Sequence, residues 1–215
     1  MNQYYDPKEN ERVAIARESF SGRLLTDRQF DEAMVITGII ESEIRQSGSF
    51  KEKLGDYAFA FSRTEKFDAT KSETIIRDLF KERTGQSMNQ MREDLVKRDE
   101  AVTDNDRTLA YREATAIGDL MEDGITMPFN RAYAHQAHQI AEQIGVTDAC
   151  AKRLMREEFA EVEGSELLAW GKDLDETIYR PKIEAEKAER ESSREQEKPS
   201  RGAGRGTVRS RSGPQ

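Results

Sequence analysis

The segment Thr26-Asp-Arg-Gln-Phe-Asp-Glu-Ala-Met-Val-Ile-Thr-Gly-Ile-Ile-Glu-Ser-Glu-Ile-Arg-Gln-Ser-Gly48 has the pattern of an α-helix from end to end. Thr26-Asp27-Arg28-Gln29 is a helix-start signal, with a hydroxyl to cap and an amide three residues on to close the box. Phe30, Ala33, Met34, Thr37, Ile40 and Ile44 then recur at the spacing of one helical face, and Gly48 marks the stop. Gly38 interrupts this helix at a cost of up to about 1 kcal/mol relative to alanine, which predicts close packing there or a bend.

The same grammar repeats on both sides. Upstream, Asp6-Pro7-Lys8-Glu9 opens a helix carrying Val13, Ala16 and Phe20 and ending at Gly22. Downstream, Ile75, Ile76, Leu79 and Phe80 form a stripe that ends at Gly85, and Ser87 caps a shorter helix with Met88, Met91, Leu95 and Val96. Thr103 starts the next, with Leu109, Ala116, Ile117, Leu120 and Met121 inside and Gly124 at its end. Pro128 starts a helix that Gly145 stops, and Thr147 caps its successor. Ser165 starts a last packed helix with Leu167, Leu168, Trp170, Leu174 and Ile178, which Pro181 is expected to kink or end. Phe50–Phe61 reads two ways, because Phe50, Leu54, Tyr57 and Phe61 fit a helix while Tyr57-Ala-Phe-Ala-Phe61 alternates with period two. Helix is preferred, since a lone strand has nothing to pair with. No long period repeats, so a solenoid is not expected. The expectation is an all-α, multi-helix bundle.

Composition narrows the class further. Of 215 residues, 35% are hydrophobic and 35% charged. The longest mostly apolar run, Ala33–Ile40, is far short of the roughly 20 residues that span a bilayer, so no membrane insertion is expected. A single cysteine among these residues makes no internal disulfide, and with no secretory signal at Met1 the reading is cytoplasmic. The net charge of −8 hides an uneven split: Lys198–Gln215 carries five basic residues and no acid, leaving −13 for residues 1–197. The chain therefore divides into a helical body (1–181), a solvated charged helix (182–197) and a basic tail (198–215) too poor in apolar residues to order itself.

Ala137–Arg156 carries one candidate site. Ala141 falls where two helices must approach closely, Gly145 at the turn, Val146 beneath it, and Ile140, Ile144 and Leu154 at buried positions. This resembles the helix-turn-helix of DNA-binding proteins, and the resemblance implies that Thr147, Lys152, Arg153 and Arg156 face a groove, with Asp148 and Ala149 beside them. Ala151 is smaller than the residue usual at its position, and Asp148, Glu157, Glu158 and Glu161 repel phosphate. An ordinary αα-hairpin fits the same residues. His135, His138 and Glu142, with Arg131, share the outer face of the preceding helix. Two imidazoles and a carboxylate are zinc-type ligands, but Arg131 repels a cation, so surface histidines and no metal or other cofactor are expected. The methionines fall on apolar stripes and read as core, and Cys150 reads as a small buried residue. Paired acids such as Glu157–Glu158 and Asp173–Asp175 lack a convergent base, so no enzyme activity is expected.

The tail is the other candidate. Arg201, Arg209 and Arg211 have the spacing Arg-x7-Arg-x-Arg, with Arg205 between them, in a hydrophilic, positive segment. This resembles the C-terminal translocation signals of bacterial type IV secretion substrates, among them conjugative relaxases. Gly213-Pro214-Gln215 stands where one more arginine is often found. The resemblance implies a protein partner, the acidic face of a secretion coupling ATPase, and transfer into a recipient or host cell. The functional expectation is a non-enzymatic accessory or exported protein of conjugation or type IV secretion. A helix-turn-helix regulator that binds DNA and a protein-interaction scaffold are the alternatives.

Overall fold

A computed structural model describes residues 25–124 and 126–196. The expected helix at 7–20 and the basic tail lie outside these residues. Among the described residues there are ten α-helices and one π-helical turn, and no strand. The charged segment at the C-terminal side is itself helical, so the structure is an all-α bundle with a charged helical extension.

The first four helices, α1 (Asp27–Ser47), α2 (Lys51–Glu65), α3 (Ala69–Thr84) and α4 (Met88–Glu100), share one core. Ile40, Ile44, Leu54, Phe61, Ile76, Leu79 and Phe80 are essentially inaccessible in it. Thr26 forms the full capping box with Gln29, and the Asp68 and Ser87 side chains cap α3 and α4 by accepting from the N–H groups of Lys71 and Gln90, three residues on. Residues 51–65 are helical, which settles the two readings of Phe50–Phe61. Gly38 leaves room for the buried Arg83, whose guanidinium would lie 3.4 Å from a Cβ at that position. Arg83 reaches Glu41 at 3.2 Å, and Glu41 also accepts from Arg45 at 2.9 Å. Burial of this charge cluster is compensated by pairing, as a buried ion requires.

A second core belongs to α5 (Asp104–Thr115), α6 (Ile117–Asp123), α7 (Phe129–Ile144), α8 (Asp148–Glu163) and α9 (Leu167–Leu174). The long helix expected from Thr103 to Gly124 is broken at Ala116. Its core positions are Ala110, Ala114, Ile117 and Met121, while Leu109, Ala116 and Leu120 are half-buried. Alanines on α5 and on α8, where Ala151 is fully buried, let these two helices pack closely.

The C-terminal helices are pinned to this second core at several points. The Phe129 ring lies against Gly171, where any Cβ would overlap it, and Trp170 sits over Gly118. Trp170 stacks on Phe159 at 5.1 Å and meets Phe129 edge-on at 6.5 Å. Asp175 accepts a 2.7 Å hydrogen bond from the Phe129 N–H, capping α7 where Pro128 provides no side-chain cap. Pro181 does not end the helix; of the two expected outcomes, the structure shows a local distortion just before it. The turn Asp175–Tyr179 just before it is π-helical, with the Arg180 N–H bonded to the Asp175 carbonyl. A proline ring normally clashes with the carbonyl four residues back; the wider turn relieves that clash, and α10 (Arg180–Gln196) continues. Lys182 then donates to the carbonyls of Met121 (2.8 Å) and Glu122 at the C-terminus of α6.

Gly171→Ala is expected to lower stability by about 1–3 kcal/mol, since the added methyl has no space to enter. Urea unfolding followed by Trp170 fluorescence measures it, and an unchanged midpoint would contradict the packing.

Candidate functional site

The α7–α8 hairpin has the turn its sequence implies. Gly145 adopts φ +74°, a left-handed conformation that glycine takes without strain, and the N–H groups of Gly145 and Val146 both bond to the Ala141 carbonyl at 2.9 and 3.1 Å. Ile140, Ala141, Val146 and Leu154 are buried; Ile144 is half-buried. Thr147 then caps α8, accepting from the Cys150 N–H at 3.1 Å.

The start of α8 is not open, however. Asp99, near the end of α4, accepts from both the Thr147 N–H and its hydroxyl, each at 2.8 Å. Its neighbour Arg98 donates to the Ile144 carbonyl at 2.9 Å and to Asp106 at 2.7 Å. Thr147 is 2% exposed and Asp148 9% exposed. Both polar groups of Thr147 are therefore engaged inside the protein. Lys152 is half-buried, and its carbonyl accepts from the Tyr133 hydroxyl at 2.7 Å. Burial pushes the Tyr133 phenol up to about 12, so it remains a donor through neutral and mildly basic pH. Arg153 and Arg156 are exposed. Arg153 pairs with Glu157 at 3.0 Å and approaches the Cys150 sulfur at 3.5 Å. Cys150 is buried, and its thiol is pushed up by that burial and by Asp99, as befits a protonated core residue.

Of the hairpin residues expected to face a groove, the structure thus brings only Arg153 and Arg156 to one open surface. They form one wall of a cleft of about 390 Å³ between α8 and α9, which Leu167 and Leu168 line from the other side. Leu168, expected in the core, is 40% exposed there. Sequence periodicity places Leu167 and Leu168 on the same apolar stretch; in the fold Leu167 shares with Gly171, four residues on, the face turned to the core.

His138 does not join His135 in a ligand set. Its Nδ1 lies 3.1 Å from Asp148, and its Nε2 lies 3.6 Å from Glu142. The two ring nitrogens thus point to different carboxylates and share no focus. Among the described residues no group of three His, Cys, Asp or Glu could hold a metal. His135, Arg131 and the half-buried Met127 line a second cleft of about 480 Å³ with Leu120 and Thr126. Met88, Met91, Met121 and Met155 are core residues, as expected. No helix among the described residues is long and apolar enough to cross a membrane. Arg201, Arg205, Arg209 and Arg211 lie outside the described residues. No protein-family model, curated protein or solved structure matches the chain.

Two outcomes follow from the Arg98–Asp99 contacts. Asp99→Ala is expected to cost about 2 kcal/mol, the range for a charge-assisted hydrogen bond, and Thr147→Ala added to it should cost clearly less than Thr147→Ala alone. A double-mutant cycle by chemical denaturation measures the coupling, and strict additivity would remove it. Burial pushes the Asp106 carboxyl up, but hydrogen bonds from the Thr103 N–H, Arg98 and the Thr103 hydroxyl outweigh it and hold the group below its ordinary value. Its stabilisation is complete above the unfolded-state value and is lost as pH falls through the lower folded value. Wild-type stability should therefore drop more steeply on acidification than that of Asp106→Asn, as followed by thermal melts from neutral pH downward.

Proposed function

We propose that this chain is a non-enzymatic docking protein of a bacterial conjugation or type IV secretion apparatus, which presents an arginine-rich segment to an acidic protein partner. The observation that carries the reading is the continuous helical run from Leu167 to Gln196. It is rooted in the second core by Gly171, Asp175 and Lys182, and from Glu184 to Ser193 it is exposed at every position except the half-buried Glu186. Ion pairing within the helix, as between Glu186 and Arg190 at 3.7 Å, helps to hold it without a partner face. Ten residues of such helix reach about 15 Å. The segment with Arg201, Arg205, Arg209 and Arg211 follows at its end, past a body of opposite charge. A secretion coupling ATPase with an acidic face is the partner class this arrangement fits.

Lys198–Gln215 fused to a reporter should support transfer between cells carrying a type IV system. Arg209→Ala with Arg211→Ala should abolish it, and transfer that persists in that double variant would refute the reading.

A second reading, DNA binding through α8, is supported by the left-handed Gly145 and the buried Ala141 and Val146, a turn of the kind that helix-turn-helix units and other helical hairpins share. The burial of Thr147 and Asp148 and the acid at Asp99 weigh against it. A DNA titration at two salt concentrations separates the readings, using full-length protein and a chain ending at Glu197. Salt-sensitive binding that survives removal of the tail and weakens in Lys152→Ala or Arg153→Ala would establish the hairpin; binding lost with the tail would exclude it.

A further inference from the structure

We infer that the cleft between α8 and α9 docks a partner's helical segment bearing a leucine-type anchor beside a carboxylate. This surface is distinct from the arginine-rich segment, and the inference stands or falls without it.

The chemistry of the walls defines the occupant. Leu167, 1% exposed, and Leu168, 40% exposed, open α9 with two apolar side chains, and Ala160 on α8 leaves the space above them unfilled. Unlike the other exposed apolar side chains, Leu168 lies in a depression, of about 390 Å³, which leaves room for a partner's apolar side chain to pack on it. Across from it, Arg153 is already paired with Glu157. Arg156 is different: among the described residues it makes no hydrogen bond or ion pair, and it is exposed at the rim. An unpaired guanidinium beside an apolar floor favours a carboxylate that arrives attached to an apolar group. Glu166, on the same rim, carries the opposite charge and fixes the side on which that carboxylate cannot sit.

The rim also decides between a small molecule and a protein segment. Small-ligand sites enclose most of their ligand's surface. Here Arg153, Arg156, Glu157, Ala160, Glu166 and Leu168 are all exposed, so one side of any occupant stays in water. An amphipathic helix, with leucines on one face and acids along the edge, meets both conditions.

Trp170 provides the readout. It is the single tryptophan of the chain, half-buried two residues from Leu168 and stacked on Phe159, next to Ala160. The probe is a synthetic helical peptide free of Trp and Tyr, with Leu at i, i+3 and i+4 and Glu along one flank. Its counterpart carries Lys at the Glu positions. Full-length protein is titrated with each while Trp170 emission is followed. The glutamate peptide should bind at least about tenfold more tightly, Leu168→Ala should weaken both peptides, and Arg156→Glu should invert the preference. Arg131→Ala, in the other cleft, controls for non-specific charge and should change nothing. Absence of saturable binding up to about millimolar peptide would overturn the inference, as would a preference unaltered by Arg156→Glu. A decrease in far-UV dichroism of either cleft variant would call for Arg156→Gln in its place, for which loss of the preference is expected and its retention is again refuting.

Discussion

Two hydrogen bonds from Thr147 to the Asp99 carboxylate hold the two halves of this protein in register. α4 buries Met88, Met91 and Leu95 in the first core, and a few residues later Val102 already packs on the second. At the crossing, Asp99 takes the two donors that begin α8, and Arg98 takes the carbonyl that ends α7. One dipeptide therefore satisfies both sides of the hairpin turn. These groups lie between two apolar cores, where an unmet donor is costly, so the contact is directional in a way that core packing is not. The contact fixes the start of α8 relative to α4, and packing on α5, α7 and Phe129 then places the rest of α8 and α9.

This contact also changes the meaning of the hairpin. The features that make Ala137–Arg156 resemble a DNA-reading unit are those any tight helical hairpin needs: a small residue at the crossing, a left-handed glycine, an apolar plug and a cap. What distinguishes a reading helix is an open amino-terminal end, and here Asp99 and His138 occupy that end. The exposed charge moves one to two turns along α8, to Arg153 and Arg156, where it borders leucines. A surface of that composition suits protein better than phosphate, in keeping with a body that carries −13 across residues 1–197.

Local signals were legible wherever a residue's role depends on near neighbours. Thr26, Ser87, Thr103 and Thr147 are caps because their hydroxyls need only reach the backbone N–H three residues on. Gly145 is a stop because only its own φ matters. Roles set by distant packing were not legible. Leu168 belongs to an apolar run, and its exposure goes with the face of α9 that carries Leu167 and Gly171 turning to the core. Pro181 reads as a kink or an end of the helix, and the widened turn that lets the helix run on accompanies anchoring by Asp175 and Lys182 to elements far back in the chain. Asp99 stands in the charged run Lys97-Arg-Asp-Glu100, which looks like a solvated helix end; its partner is 48 residues away. The arginines at the cleft were visible as cations on α8, but not their leucine neighbours on α9.

The account rests on Asp99 joining two cores into one cooperative structure, and unfolding followed by two probes tests that most directly. Trp170 reports the second core alone, while far-UV circular dichroism reports helices of both. In wild-type protein the two urea transitions should coincide, and in a variant carrying Arg98→Ala with Asp99→Ala they should separate into two midpoints. Separate transitions in the wild type, or coincidence that survives the double substitution, would contradict the account.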